Sequence, residues 1–129
     1  MRKRLALIGF IAASLAAVPV RAQGVDVLLD TIQHASFQYF WNEANPDNGL
    51  IRDRSTLTSP CSIAANGFGL SAICVGVDHG WVTRDDAKAR VETTLQTFWR
   101  GAQGPDSSGF IGYKGFYYHF LDMNTALRT

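Results

Sequence analysis

The sequence predicts an all-α fold, the beginning of an α/α barrel, because it contains three helical segments with different burial patterns. Residues 25–42 and 83–100 place apolar side chains at helical spacing, as helices with one buried face do. Residues 63–77 lie between them and carry no charge, which is typical of a helix buried on every side. The resulting order of outer, inner and outer helix is that of an α/α barrel, and a small helical bundle would show the same pattern.

The first helical segment, residues 25–42, is amphipathic. It is followed by Asn45, Pro46 and Gly49, a turn-forming cluster that predicts the end of the helix. The loop after this turn extends to residue 60. The apolar face of the segment consists of Leu28, Leu29, Ile32, Ala35, Tyr39 and Phe40, widened by Phe37 and Trp41.

The second segment, residues 63–77, consists almost entirely of small and apolar residues. A helix here would separate Cys61 from Cys74 by nearly four turns, about 15–20 Å at 1.5 Å per residue. A disulfide requires Cα atoms within about 7 Å. We therefore expect two buried free thiols.

The third segment, residues 83–100, begins with a capping signal. Thr83 is placed to cap the helix, and Asp86 stands at the position that Glu occupies in a capping box. Beyond this helix, residues 110–121 predict a short hairpin or extended loop around Tyr113, Lys114 and Gly115. One face of the helix is lined by Ala87, Val91, Leu95 and Phe98.

The N-terminus predicts a signal peptide over residues 1–22, with the mature domain over residues 23–129. Arg2, Lys3 and Arg4 form a basic start, and the apolar run after them is followed by small residues that favour cleavage after Ala22. A membrane anchor is the alternative, but a bilayer span needs about 20 apolar residues. We therefore expect an exported protein, periplasmic or secreted, without a stable membrane span.

The charge balance argues against a nucleic-acid partner. Loss of Arg2, Lys3, Arg4 and Arg21 with the signal peptide leaves eight basic against eleven acidic residues, a formal charge of −3. The mature chain has no basic cluster of the kind that binds nucleic acids. A neutral ligand is expected, and the oligomeric state is left open.

The segment at residues 109–128 is the strongest indication of function. It gathers Tyr113, Tyr117, Tyr118 and His119 close to the carboxylate of Asp122. Aromatic rings beside a carboxylate suit a sugar-binding cleft, because rings stack on the apolar faces of sugars. In an α/α barrel, the loop over residues 50–62 would lie beside this segment.

Three motifs occur in order: FQYFWNEANPDNGLIRDR at residues 37–54, PCSIAANGFGL at residues 60–70, and GFIGYKGFYYHFLDMNTALR at residues 109–128. Together they resemble the glucoamylase-like family of bacterial secreted proteins, whose members include enzymes acting on β-1,2-glucans. The resemblance implies the N-terminal part of an (α/α)6 barrel. Arg52 stands where the family has proline, which weakens the expectation of a rigid loop.

The resemblance also implies a longer protein. Family members continue for several hundred residues, so the chain is expected to be an N-terminal fragment that is inactive alone. Glycosidases normally use two carboxylic acids, and further acidic residues of the family follow the last motif. We therefore expect at least one catalytic partner of Asp122 to lie outside this chain.

Asp122 is the candidate catalytic residue, and the alternatives are a helix cap or a partner for Arg54 or Arg128. Arg54 could bind sugar hydroxyls or a carboxylate, or form a surface ion pair with Asp53 or Asp47. For the aromatic candidates the alternative is packing in the core. The predicted substrate-binding residues are Arg54, Tyr113, Lys114, Tyr118 and His119.

No cofactor or metal is expected. His119 and Asp122 are three residues apart, but two ligands without a third are weak support for a metal site. Gly67, Gly69 and Ala72 match a dinucleotide-binding pattern, yet the βαβ unit that this pattern requires is missing.

The predicted function is that of a glycoside hydrolase in the full-length protein. It would cleave a β-linked glucan by general acid/base catalysis, and the resemblance suggests β-1,2-glucan. A transglycosylase would use the same chemistry. The alternatives are a non-catalytic carbohydrate-binding protein and an inactive truncated remnant.

Overall fold

The computed structural model describes residues 20–129 and the side-chain surroundings from Gly24 onward. Three helices, α1 (Val20–Asn42), α2 (Ile63–Asp78) and α3 (Arg84–Arg100), make up most of this part. Four two-residue strands accompany them: β1 (Cys61–Ser62), β2 (Gly112–Tyr113), β3 (Phe116–Tyr117) and β4 (Phe120–Leu121). The predicted all-α class is confirmed. Residues 1–19, which hold most of the predicted signal peptide, lie outside the described residues.

Helix α1 packs against α2 through the C-terminal part of α1 only. Phe37 is buried, and its ring lies 5.9 Å from that of Trp41 and 5.4 Å from that of Trp81. The prediction of a buried apolar face is wrong for the N-terminal part of α1, since Leu28, Leu29 and Ile32 are all exposed. No element of the described part covers these side chains. Among the described helices, none is long and apolar enough to cross a bilayer.

Helix α2 is buried along one stripe and not on every side, so this prediction was wrong. Asn66, Gly69, Ile73 and Gly76 are buried, three or four residues apart along one face. Phe68, between them in sequence, is 68% exposed. The small residues of α2 allow a close approach of α1, whereas the opposite face has no neighbour among the described elements.

Helix α3 begins as its capping signal predicts. The Thr83 hydroxyl oxygen accepts a hydrogen bond from the Asp86 N–H at 3.1 Å, and the hydroxyl donates to the Asp86 carboxylate at 2.6 Å. Ala87 is buried, but Leu95 on the same predicted face is exposed. Trp99 is also exposed, unlike Trp41 and Trp81, which pack beside Phe37.

A second core lies at the end of the helices where the connecting segments meet. Strand β1 pairs antiparallel with β4, with Cys61 opposite Leu121. Isolated bridges extend the same layer from Arg52 to Cys61 and from Leu121 to Arg128. The buried side chains of this core are Leu50, Cys61, Ile111, Leu121 and Met123.

The turn over residues 45–49 attaches the loop to α3. The Thr94 hydroxyl donates to the Gly49 carbonyl at 3.2 Å, and the Thr97 hydroxyl donates to the Asn48 carbonyl at 2.8 Å. Gly49 has a φ of +72°, and a Cβ at this position would meet the side chain and backbone of Thr94. This turn therefore depends on glycine for both its backbone conformation and its contact with α3.

The two cysteines are free, as predicted, but they differ in exposure. Cys61 is buried and Cys74 is exposed, so the expectation of two buried thiols was wrong for Cys74. Cys74 lies on the face of α2 that the described part leaves open. Burial raises the pKa of the Cys61 thiol to about 11, partly offset by a hydrogen bond from Asn66.

We predict that Gly49→Ala destabilises the protein more than Gly80→Ala. Both glycines have a positive φ, but a Cβ on Gly80 meets nothing within 4 Å, whereas one on Gly49 lies 2.8 Å from the Thr94 backbone. The two substitutions therefore cause similar backbone strain. In Gly49→Ala, the collision of the new Cβ with Thr94 lowers the free energy of unfolding by a further amount of about 1–3 kcal/mol. Urea unfolding of both variants measures the difference, and equal losses would contradict the collision.

We predict that Cys61 makes the free energy of unfolding fall as the pH rises from about 9 to about 11. The unfolded thiol ionises first, because its pKa of 9.0 lies below the folded value of about 11. Below pH 9 the thiol is protonated in both states and contributes no pH dependence. Urea unfolding at several pH values should show that the free energy of unfolding falls less steeply with pH in Cys61→Ala than in the wild type. Parallel curves for the two proteins would show that Cys61 is not the source of this pH dependence.

Candidate functional site

The two segments that the sequence predicts to lie together do meet in the structure. The pairing of β1 with β4 joins the loop after α1 to the aromatic segment. The Ile63 N–H, at the start of α2, donates to the His119 carbonyl at 3.1 Å. The motifs at residues 37–54, 60–70 and 109–128 therefore occupy one end of the helices.

The aromatic segment forms the predicted hairpin. Strands β2 and β3 pair antiparallel, with Tyr113 opposite Phe116. The two residues between them, Lys114 and Gly115, both have positive φ, at 52° and 85°. This is the backbone of a tight two-residue hairpin turn. The hairpin holds Tyr113 and Lys114 at an exposed tip.

Asp122 follows β4 directly and caps a turn. Its Oδ1 accepts hydrogen bonds from the Asn124 N–H at 3.0 Å, the Thr125 N–H at 2.8 Å and the Thr125 hydroxyl at 2.9 Å. These bonds hold the pKa of the Asp122 carboxyl below its usual value. At neutral pH the group is a carboxylate, suited to act as a base, nucleophile or hydrogen-bond acceptor and not as a proton donor.

Asp122 therefore caps a turn and not the helix considered from the sequence, since residues 123–125 form a turn. No ion pair links it to Arg54 or Arg128 within residues 24–129. Asn45 and Asn48 both donate from their side-chain amides to the Met123 carbonyl, at 2.8 and 2.9 Å. Asp122 is thus held in place from both sides. Its catalytic role stays a prediction.

Tyr118 is fixed between the core and the C-terminal residues. Its hydroxyl donates to the Gly104 carbonyl at 2.8 Å, and the Arg128 guanidinium lies 4.4 Å from the ring centroid. One ring face is thereby covered, and the hydroxyl is engaged. Stacking of a sugar on Tyr118 would have to use the remaining face.

Tyr113, Lys114 and His119 are more accessible. The Lys114 ammonium lies 5.2 Å from the Tyr113 ring centroid. The His119 imidazole is exposed and meets the Phe120 ring edge-on at a centroid distance of 4.3 Å. These three side chains are already exposed, so a ligand can contact them without any rearrangement of the core.

Arg54 lies in an exposed part of the loop, and its side chain is 80% exposed. Its Nε lies 3.4 Å from the Asp53 carboxylate, which is one of the two ion pairs considered from the sequence. An exposed pair of this kind contributes little to stability. Arg54 is therefore free to exchange Asp53 for a ligand.

Sequence reasoning missed a polar cluster where α1 meets the loop. The Arg52 guanidinium lies 3.4 Å from the Glu43 carboxylate, and the Tyr39 hydroxyl donates to the Arg52 carbonyl at 2.8 Å. Burial, followed by the charges of Glu43 and Asp53, raises the pKa of Tyr39. The i, i+4 spacing of Tyr39, on α1, and Glu43, the residue after α1, was the signal available in the sequence.

This cluster explains how the loop is held at Arg52. Arg52 binds α1 through its backbone carbonyl and through its side chain. Glu43 and Asp53 are half-buried carboxylates near the site end of the helices. Within the described residues, no group of three or more His, Cys, Asp or Glu side chains is placed to hold a metal ion.

The site end carries aromatic rings, hydroxyls, the well-held carboxylate of Asp122 and the exposed guanidinium of Arg54, which pairs with Asp53. Such groups can bind a neutral polyhydroxy ligand and orient it by hydrogen bonds. Glycoside hydrolysis requires a second acid group.

Comparison with known proteins confirms the predicted resemblance to glucoamylase-like proteins, although no family model matches the chain. The curated exo beta-1,2-glucooligosaccharide sophorohydrolase (non-reducing end) of Parabacteroides distasonis is 38% identical over 64 residues. A candidate glucoamylase of known structure from Bacteroides uniformis is 31% identical, with a TM-score of 0.66 over 78% of this chain.

The fold class, part of an (α/α)6 barrel, is confirmed by the same structural similarities. The endo-beta-1,2-glucanase of Chitinophaga pinensis, solved with sophorotriose and glucose, has a TM-score of 0.64 over 78% of this chain. At 21% identity this likeness shows the fold alone. The matched regions cover 9% of the curated relative and 23% and 24% of the two solved chains.

We predict that Asp122→Asn preserves the fold and that Asp122→Ala lowers the thermal stability of the protein more than Asp122→Asn does. An asparagine oxygen can still accept the hydrogen bonds of the turn, whereas alanine leaves their donors without a partner. The loss for alanine should be about 1 kcal/mol, as for a helix cap. Thermal unfolding of the three proteins at pH 7 measures it, and equal stability of all three would exclude the capping role.

The same variants test the charge of Asp122. The pKa of the Asp122 carboxyl is lower in the folded protein than in the unfolded chain, so its ionisation stabilises the fold at pH values above the ordinary carboxyl pKa of 3.8. This stabilisation is lost as the pH falls through the pKa of the folded state. The stability difference between wild type and Asp122→Asn should therefore shrink on acidification below about pH 4. A difference that is constant with pH would contradict the lowered pKa.

Proposed function

We propose that this chain forms part of a glycoside hydrolase that acts on a β-linked glucan, with β-1,2-glucan as the substrate class. The supporting observation is the pairing of β1 with β4, which brings the loop of Arg54 beside the aromatic hairpin and Asp122. The similarity to the sophorohydrolase supports the choice of linkage. The chain covers a small share of its relatives, so the activity is proposed for the whole protein.

In this proposal the aromatic side chains bind sugar rings and Asp122 acts as a carboxylate. Its three hydrogen bonds keep it ionised and oriented. Asp122 would therefore activate water, act as nucleophile or hold a sugar hydroxyl, and another carboxyl group would protonate the leaving oxygen. Glu43 and Asp53 are half-buried carboxylates near the same end of the helices.

We also propose that the protein is exported. The basic residues at positions 2–4, the apolar run after them and the small residues around Ala22 support this. An exported enzyme would meet glucan outside the cytoplasm. N-terminal sequencing of the mature protein tests the cleavage after Ala22.

A second candidate function is non-catalytic carbohydrate binding. The observation that favours it is the engagement of Asp122 Oδ1 by three donors, which suits a structural cap. Such a protein would use the exposed Tyr113, Lys114 and His119 to bind glucan without cleaving it. Binding and hydrolysis must therefore be measured separately.

The experiment begins by sequencing the gene beyond the codon for Thr129. The 129-residue chain, and the longer product if the reading frame continues, are then incubated with β-1,2-, β-1,3- and β-1,4-glucans. We expect the longer product to release oligosaccharides from β-1,2-glucan. Binding without release by the longer product would support the carbohydrate-binding alternative and exclude the hydrolase.

We predict that Asp122→Asn lowers kcat for this hydrolysis by about 10²-fold or more, with little change in thermal stability. The matched control is Asp106→Asn, an exposed carboxylate in the loop after α3. The control should leave kcat unchanged. If Asp122→Asn hydrolyses glucan at the wild-type rate, Asp122 has no catalytic role.

A further inference from the structure

Two asparagine side chains reach from the turn after α1 to the residue that follows Asp122. The Nδ2 groups of Asn45 and Asn48 donate to the Met123 carbonyl at 2.8 and 2.9 Å. A carbonyl oxygen has two lone pairs, so the two amides together use both of them. We call this pair of hydrogen bonds the asparagine clamp. It joins residues that are 78 and 75 positions apart in the chain.

Each asparagine of the clamp is also fixed through its side-chain oxygen. The Oδ1 of Asn45 accepts from the Asp47 N–H at 2.9 Å, and the Oδ1 of Asn48 accepts from the Leu50 N–H at 3.0 Å. Asparagine favours turns of this kind, in which its side chain binds the backbone two residues further on. The two amides are therefore oriented within their own turn, and their Nδ2 groups are available to Met123.

The turn that carries the clamp is attached to a helix and to the core. The Thr97 hydroxyl, on α3, donates to the Asn48 carbonyl at 2.8 Å. Leu50 is fully buried in the core that also contains the Met123 side chain. The clamp therefore connects α3 and this core to the backbone beside Asp122.

One peptide group links the clamp to the carboxylate of Asp122. The carbonyl of Met123 and the N–H of Asn124 belong to the same planar group. The carbonyl accepts from both asparagines, and the N–H donates to Asp122 Oδ1 at 3.0 Å. Hydrogen bonds in series polarise one another, so the two amides strengthen the bond from this N–H. The clamp thus fixes the plane of the peptide that orients the carboxylate.

The segment over residues 122–127 is a closed turn with a strained backbone. The Ala126 N–H donates to the Asp122 carbonyl at 3.0 Å, and the Asp122 N–H donates to the Leu127 carbonyl at 2.8 Å. Ala126 has a φ of +60°, in the left-handed region that a residue with a Cβ rarely adopts. Such conformations persist where the surrounding structure fixes them, and they are common at functional sites. The clamp is an interaction from outside this turn that fixes it.

We propose that Asn45 and Asn48 are positioning residues for hydrolysis and that they act through Asp122. The proposal rests on the proposed glycoside hydrolysis, and it assigns a role in that reaction to two residues of the turn after α1. Because this turn is bound to α3, the clamp orients the carboxylate relative to the helices and not only within its own turn. The sugar-binding side chains of the hairpin are not part of the clamp.

The test replaces each asparagine of the clamp with aspartate, which has nearly the same shape. At neutral pH a carboxylate only accepts hydrogen bonds, so Asn45→Asp and Asn48→Asp keep the bonds accepted within the turn and lose those to Met123. The matched control is Asn42→Asp, which adds the same charge at an exposed position at the end of α1. Circular dichroism checks that every variant is folded at the assay temperature.

Amide hydrogen exchange in the 129-residue chain measures whether the clamp holds the turn. The Asn124 N–H should exchange about tenfold faster or more in both clamp variants than in the wild type, because the turn opens more often. Exchange in Asn42→Asp should match the wild type. Wild-type exchange rates in both clamp variants would overturn the proposal, whatever their activity.

Steady-state kinetics of the longer product measures the effect on the reaction. Both clamp variants should lower kcat about tenfold or more with little change in KM, because a misplaced catalytic group slows the chemical step. Asn42→Asp should leave both constants unchanged. A change in KM alone would overturn the positioning role, since the clamp would then contribute to substrate binding.

A double-variant cycle with Asp122→Asn separates positioning from a general effect on the fold. If Asn48 acts through Asp122, Asn48→Asp should lower kcat in the wild type and cause no further loss in Asp122→Asn. A loss by the same factor in both backgrounds would overturn the proposal. It would show that Asn48 supports the fold as a whole.

The hydrolysis assay also separates failure of the clamp from failure of the proposed function. Hydrolysis with the wild-type kcat in both clamp variants would refute the positioning role and keep the hydrolase. If the wild-type longer product releases no sugar, the hydrolase is excluded and the positioning role is overturned with it, even where faster exchange shows that the clamp holds the turn.

Discussion

The antiparallel contact between Cys61 and Leu121 is the constraint on which the rest of the structure depends. It joins the start of α2 to a segment that follows α3, so the two ends of an otherwise open helical array are tied together. Both side chains are fully buried. Because their backbones are paired and their side chains share one core, neither segment can shift without exposing apolar surface to water.

The candidate site depends on this contact for its geometry. Asp122 follows β4 directly, so the position of its carboxylate is set by the pairing and by its own turn. Arg54 lies two residues beyond the bridge of Arg52 to Cys61. The candidate site residues thus stand at the edge of a paired layer, where loops carry function and the core holds them in place.

Burial is uneven along the helices, and this shapes the function that they can have. The C-terminal part of α1 and one stripe of α2 are covered, whereas Leu28, Phe68 and Trp99 are exposed. Large exposed apolar patches usually mark surfaces that bind something.

The sequence alone determined the helices, their caps and the hairpin, because these depend on neighbours a few residues away. Thr83 and Asp86 interact within one turn, and Lys114 and Gly115 adopt the positive φ values that a two-residue hairpin turn requires. The resemblance carried by the three motifs was also present in the sequence. Local chemistry was enough for each of these.

Burial and side-chain partners were decided only by the tertiary structure. The sequence shows that α2 is apolar, but only the placement of α1 shows which stripe of α2 is buried. Cys74 does not belong to that stripe and is exposed. The same holds for Asp122, whose turn consumes one oxygen, and for Asn66, whose orphan acceptor no pattern reveals. These properties depend on groups far apart in the chain, and a linear sequence does not record which of them meet.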